Sequence, residues 1–169
     1  MLNAAHLANS RLGKALKLTD ANLGTDLSDQ THRDEYVLEE QVGYILRVAS
    51  QRHASIFQAQ SPEGLTPRQF SVLVRVAEVG SCSQNHLGRL TAMDVATIKG
   101  VVDRLKRKDL LTLESDPQDK RRTIIRLTAA AQAMIAQLHD IGHRISEETL
   151  RALSPSEQAT LVRLLRKMT

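Results

Sequence analysis

Nine basic side chains lie between Lys99 and Arg126: Lys99, Arg104, Lys106, Arg107, Lys108, Lys120, Arg121, Arg122 and Arg126. Five acidic ones share the stretch: Asp103, Asp109, Glu114, Asp116 and Asp119. Nine minus five is +4, which is also the formal net charge of the whole 169-residue chain. The rest of the chain is therefore balanced and the basic excess is local. Clustered ammonium and guanidinium groups bind polyanions, above all a nucleic-acid backbone. A solvated helix face followed by an exposed turn would carry similar charge. The order of the elements beneath the charge separates the two readings.

Val95, Ile98, Val101, Val102 and Leu105 recur at helical spacing, and Asp94 stands where an N-cap would. Leu111 to Glu114 reads as a strand, Asp116-Pro117 opens a basic turn, and Thr123 to Leu127 reads as the returning strand. A helix followed directly by a hairpin with a basic tip is a helix-turn-helix carrying a wing. Upstream, Thr66-Pro67-Arg68-Gln69 is a capping box with proline at the first helical position. It opens a helix with Phe70, Leu73, Val74 and Ala77 on its inner face, ended by Gly80. Ser83 to Leu90 is a short helix capped by Ser83, and Thr91 to Met93 turns into the basic helix.

Long helices flank this unit. Glu35 to Gln60 carries Val42, Ile45, Leu46, Ala49, His53 and Ile56 as its buried stripe, and Ser61-Pro62-Glu63-Gly64 stops it. Thr128 caps a helix running to about Leu153, with Ala130, Met134, Ile135, Leu138, Ile141, Ile145 and Leu150 at its apolar positions. Ser154-Pro155-Ser156-Glu157 is a second capping box, opening a last helix with Leu161, Leu164, Leu165 and Met168. One copy offers these faces little to pack on, so a homodimer with helices of both termini at its interface is the economical solution. The expected fold is mainly α with a small β-hairpin wing. Residues 65–128 form a winged helix-turn-helix domain, and 35–62 and 129–169 a helical dimerisation region. Residues 1–34 are a polar N-terminal extension, expected to lack fixed structure.

Composition narrows the function classes. Aromatic residues make up 2% of the chain and tryptophan is absent, so the core is built from Leu, Ile, Val and Ala. A single cysteine excludes a disulfide framework within one chain. No apolar run approaches the ~20 residues of a membrane span, and the N-terminus lacks the apolar region of a secretion signal. A cytoplasmic location is expected. An enzyme is not: there is no glycine-rich phosphate loop, nucleophile motif or dense carboxylate cluster. Two sensing chemistries remain in view. His139 and His143, four apart on one helix face, have spacing that a divalent metal uses. Cys82 precedes a short helix whose dipole would lower a thiol pKa and make it redox-responsive. A structural cysteine is the competing reading.

Leu65-Thr-Pro-Arg-Gln-Phe70, Ser83-Gln-Asn-His-Leu87, Asp116-Pro-Gln-Asp-Lys-Arg-Arg122 and Leu127-Thr128 together resemble the MarR family of bacterial transcriptional regulators. The resemblance spans roughly residues 36 to 168, and its most specific part is Asp119-x-Arg121 followed by Leu127-Thr128. The chain departs from the family at Asp109 and Ala131, where glycines are common, and at Gly100, where a larger side chain is common. Gly100 costs the helix about 1 kcal/mol.

The resemblance implies a homodimeric DNA-binding repressor on a pseudopalindromic operator, with recognition helices one turn of DNA, ~34 Å, apart. It implies base-edge contacts from Ala96, Thr97 and Lys99, and phosphate contacts from Arg104, Lys106, Ser83 and Gln84. Arg121 would enter the minor groove from the wing, and Asp119 would hold Arg121 or Arg122. It further implies release by a small aromatic acid or phenol bound between the dimer helices and the winged domain. Tyr44, Arg47, His53 and Phe70 are the candidate ligand residues. No cofactor is implied, and zinc at His139 and His143 is the minor alternative. The alternative of another class is a protein-interaction winged helix without DNA binding; the basic wing argues against it.

Overall fold

A stripe of branched side chains sets the rotation of the basic helix. In the computed structural model, which describes residues 36–62, 64–117 and 123–169, this helix (α4) spans Val95–Arg107. Ile98, Val101, Val102 and Leu105 are all almost completely buried. Asp94 caps it, accepting the Thr97 backbone N–H at 2.8 Å. Before it in the chain come α1 (Val42–Gln60), α2 (Pro67–Val79), β1 (Cys82–Ser83) and α3 (Gln84–Leu90). After it come β2 (Leu111–Ser115), β3 (Thr123–Leu127), α5 (Ala129–Leu150) and α6 (Pro155–Leu165).

The expected caps form. Thr66 and Gln69 make the reciprocal capping box of α2, and the Gln69 side chain is buried in doing so. Ser83 accepts the His86 N–H, and Thr128 accepts the Ala131 N–H. At α6 the Glu157 carboxylate accepts both the Ser154 N–H and its hydroxyl, which holds the carboxyl below its usual range.

The sheet has the order β1-β3-β2, antiparallel throughout. Leu111 pairs with Leu127 and Ser115 with Thr123, so β2 and β3 form the expected hairpin. Its third strand was not expected. Cys82 and Ser83 pair with Ile125 and Ile124, too short a segment to show alternation. The main core joins Val72, Leu73 and Val76 of α2, Leu87 of α3, the α4 stripe, Leu111, Ile125, and Ala131, Ile135 and Leu138 of α5. A smaller cluster of Phe57, Ile141 and Ile145 joins α1 to the second half of α5.

Four expectations are corrected. Val95, expected on the buried stripe of α4, is 67% exposed, because as the first residue of the helix it lies beyond the edge of the core. The α1 stripe is not buried within one chain: Val42, Ile45 and Leu46 are 63%, 51% and 41% exposed, and Ala49 and His53 are also exposed. Phe57 is the residue that α1 buries. Ile56 packs beside Phe57 against α5, whereas no other described residue covers Val42, Ile45 and Leu46. The helix itself starts at Val42 rather than Glu35, because Leu38–Glu40 forms a 3-10 turn and Gln41 is extended. On α5, Ala130 is exposed and its neighbour Ala131 is buried. Leu161, Leu164 and Leu165 of α6, and Met168 just after it, are exposed. The expectations for residues 1–34 and for the wing tip, with Asp119, Arg121 and Arg122, lie outside the described residues. Among those described, no helix is long and apolar enough to cross a membrane.

Among the described residues, two without glycine's freedom adopt positive φ: Ala92 (52°) in the α3–α4 turn and Asp109 (55°) after α4. Aspartate tolerates this conformation better than alanine. Cys82 is buried, and desolvation pushes its thiol above the ordinary value, opposite to the expected dipole effect. A two-residue strand in the sheet, rather than an open helix terminus, determines its environment.

Two outcomes follow. Ala92→Gly should raise stability by up to about 1 kcal/mol, read as a higher urea midpoint at unchanged m-value. Native Cys82 should react with a thiol reagent at pH 8 far more slowly than the same chain in urea. With a raised pKa its thiolate fraction stays small until the pH passes the ordinary thiol range. Equal rates would overturn the buried assignment.

Candidate nucleic-acid interface and ligand cavity

With its stripe turned inward, α4 presents Ala96, Lys99, Arg104, Lys106 and Arg107 as exposed residues, with Thr97 half-buried beside them. Thr97 does not project freely. Its hydroxyl donates to the second Asp94 carboxylate oxygen at 2.7 Å, while its N–H occupies the first. These two bonds hold the Asp94 carboxyl below its usual range, so it is ionised and accepts only. A Cβ at Gly100 would meet nothing closer than the Arg104 guanidinium, at 3.5 Å. The missing side chain thus leaves a shallow slot over which Arg104 lies. Lys108 is withdrawn from this face: its ammonium donates to the Gly64 carbonyl, tying the end of α4 to the α1–α2 connection.

The wing approaches α3 at its base. Ser81, Cys82, Ser83, His86, Arg89, Asp116 and Ile124 line a polar cleft of about 270 Å³. Ser83 caps α3 there, whereas Gln84, although half-buried, does not line the cleft. His86 and Arg89, both exposed, were not singled out from sequence. Their three-residue spacing on a helix beginning at Ser83 was the available signal. Across the hairpin, Glu114 and Arg126 form an exposed ion pair of 3.7 Å, so Arg126 is partly neutralised.

A cavity of about 410 Å³ opens between α1, α2 and α5. Phe57 and Phe70 form an aromatic corner, edge to face, with ring centroids 5.6 Å apart. His53, His139 and His143 stand around it, with Ser71 and Ser146 as further polar groups. Of the four candidate ligand residues, the fold brings His53 and Phe70 to this cavity. Tyr44 and Arg47 do not line it: the Arg47 guanidinium lies 5.0 Å from the centre of the Tyr44 ring and donates to Gln51. The His53 imidazole meets the Thr149 hydroxyl at 2.9 Å, fixing its ring against α5. It is exposed rather than a core histidine. Phe57 and both α5 histidines were outside the candidate ligand set, because their convergence depends on how α5 crosses α1 and α2. His139 and His143 share this cavity with His53, yet no group of three or more His, Cys, Asp or Glu among the described residues is arranged to hold a metal ion.

Comparison with known proteins agrees with this geometry. The MarR family profile matches residues 63–122. The HTH-type transcriptional repressor NicR of Pseudomonas putida is 41% identical over 134 residues, which is 79% of this chain and 85% of NicR. Among solved structures, Bordetella bronchiseptica BpsR, whose DNA binding is regulated by 6-hydroxynicotinic acid, superposes with a TM-score of 0.75 at 40% identity. The match covers 79% of this chain and 96% of that one. A mutant MarR from E. coli complexed with operator DNA superposes with a TM-score of 0.68 at 26% identity, covering 75% and 91%. Helix-turn-helix, hairpin, basic helix face and extended similarity fall in the same stretch, and the chain belongs to the MarR family of DNA-binding transcriptional regulators, which are not enzymes.

Proposed function

We propose that the protein is a homodimeric repressor that binds a pseudopalindromic operator and is released from it by a small aromatic acid. The observation that carries this reading is the cavity walled by Phe57 and Phe70 and ringed by three histidines. Aromatic rings take an aromatic ligand, and imidazoles supply hydrogen bonds and, when protonated, charge for a carboxylate. Phe70 belongs to α2, which packs on α4, whereas Phe57 and His53 belong to α1. A ligand there bridges the reading unit and the terminal helices. If it fits one arrangement of the two better, it shifts the spacing of the recognition helices. The regulation of BpsR by 6-hydroxynicotinic acid supports the ligand class.

In this reading residues 65–128 are the DNA-binding unit, with residues 35–62 and 129–169 pairing two copies. The exposed apolar faces of α1 and α6 support the pairing. Ala96, Thr97 and Lys99 read bases, and Arg104, Lys106, Ser83 and Gln84 hold the backbone. Arg121 enters the minor groove, Asp119 holds Arg121 or Arg122, and the protein works in the cytoplasm.

Arg121→Ala should weaken operator binding tenfold or more, on the order of one to two kcal/mol, while the dimer persists by light scattering. Unchanged affinity removes the wing from the mechanism. Wild-type affinity should also fall steeply between 50 and 200 mM salt, by roughly 10³ or more if six phosphates are contacted. A salt-insensitive dimer without DNA affinity would favour the protein-interaction reading. With 6-hydroxynicotinic acid as the probe, thermal stability should rise, by up to about 2.7 kcal/mol at a hundred times Kd, and DNA should be released. Phe70→Ala should abolish both responses. A probe that stabilises the Phe70→Ala variant equally binds elsewhere.

A further inference from the structure

The Asp94–Thr97 pair constrains what the recognition helix can read. This step rests on the DNA-binding reading of α4. In helix-turn-helix proteins the first turns of the second helix approach base edges, and Thr97 lies in the first turn of α4. A threonine hydroxyl ordinarily serves as donor or acceptor, so it tolerates any base. Here its single hydrogen is already committed. The Asp94 carboxylate has no hydrogen to give, so across the 2.7 Å contact Thr97 must be the donor. The same carboxylate receives the Thr97 N–H at 2.8 Å, which fixes the carboxylate's orientation. What the Thr97 hydroxyl has left to offer a further partner is its oxygen lone pairs.

We infer that Asp94 sets Thr97 as an acceptor-only reader, so that the base it faces in each operator half-site carries an exocyclic amino group, adenine or cytosine. In the major groove only adenine N6 and cytosine N4 offer a donor; guanine N7 and O6 and thymine O4 are acceptors and would face the Thr97 oxygen without a hydrogen between them. Thr97 is the specificity-determining residue at that position, and Asp94 is its positioning residue. The helix cap and the base code therefore share one carboxylate.

The test is competition binding with operator recovered by selection from random duplex DNA. Each half-site position is then varied through all four bases. Wild type should show one position preferring adenine or cytosine by tenfold or more. Thr97→Val keeps the shape and methyl but lacks the oxygen, and should flatten that preference to about twofold. Asp94→Asn supplies the discriminating arm. Asparagine caps a helix as well as aspartate does, so the fold should hold, as circular dichroism would verify. Its carbonyl oxygen takes the Thr97 N–H, its amide donates to the Thr97 oxygen, and the hydroxyl hydrogen turns outward. The preference at that position should move toward guanine or thymine. A Thr97→Val protein with every wild-type preference intact overturns the inference. So does an Asp94→Asn protein that keeps the adenine or cytosine preference removed by Thr97→Val, or a wild type preferring guanine or thymine there. A wild type with no base preference anywhere refutes instead the reading of α4 as a recognition helix.

Discussion

The burial of one side of α4 is the constraint on which the rest depends. Ile98, Val101, Val102 and Leu105 have no appreciable contact with water, and each gains about 1.5–3 kcal/mol from that burial. Rotating the helix by even one position would exchange part of this stripe for Lys99 or Asp103, at a cost far above any gain from the exposed face. The exposed basic side chains thus take their direction from the apolar ones. Gly88 permits the arrangement. A Cβ there would come within 3.1 Å of the Met93 carbonyl and 3.3 Å of the Ile98 side chain, so only glycine lets α3 and α4 approach this closely. Asp94 then adds direction at the level of a single hydroxyl, because a carboxylate that must accept leaves its neighbour no choice but to donate.

Helix α5 joins two packing clusters. Its first half buries Ala131, Ile135 and Leu138 in the core shared with α2 and α4, and its second half buries Ile141 and Ile145 against Phe57 of α1. The cavity lies where one set of contacts gives way to the other. Phe70 packs against both sets, so one ring of α2 spans the seam. The aromatic corner at Phe57 and Phe70 thus belongs to the same α2 that packs on α4.

Much of the fold was legible from sequence because it rests on local chemistry. The caps at Thr66, Ser83, Asp94 and Thr128 are short-range hydrogen bonds written in residue type and spacing. The hairpin from Leu111 to Leu127 was marked by its turn residues. The stripe of α4 declares itself by period, and Ile98, Val101, Val102 and Leu105 enter one core, although Val95 at its start does not. The α1 stripe has an equally clear period and lies exposed. Periodicity reports that a face is apolar, and does not report whether the same chain covers it.

What the sequence determined by itself, then, was the kind and order of the elements, the local excess of positive charge and the capping residues, all properties of side chains a few positions apart. The tertiary structure alone decided three further matters. It paired Cys82 into the sheet and so made the thiol less acidic, where a helix dipole suggested the reverse. It gathered His53, His139 and His143 around Phe57 and Phe70 while leaving Tyr44 and Arg47 stacked on each other outside the cavity. It bent the Thr97 hydroxyl onto Asp94. The first two depend on how helices distant in sequence cross, and crossing is set by the summed packing of whole faces. The third depends on a side-chain torsion that spacing permits without selecting it.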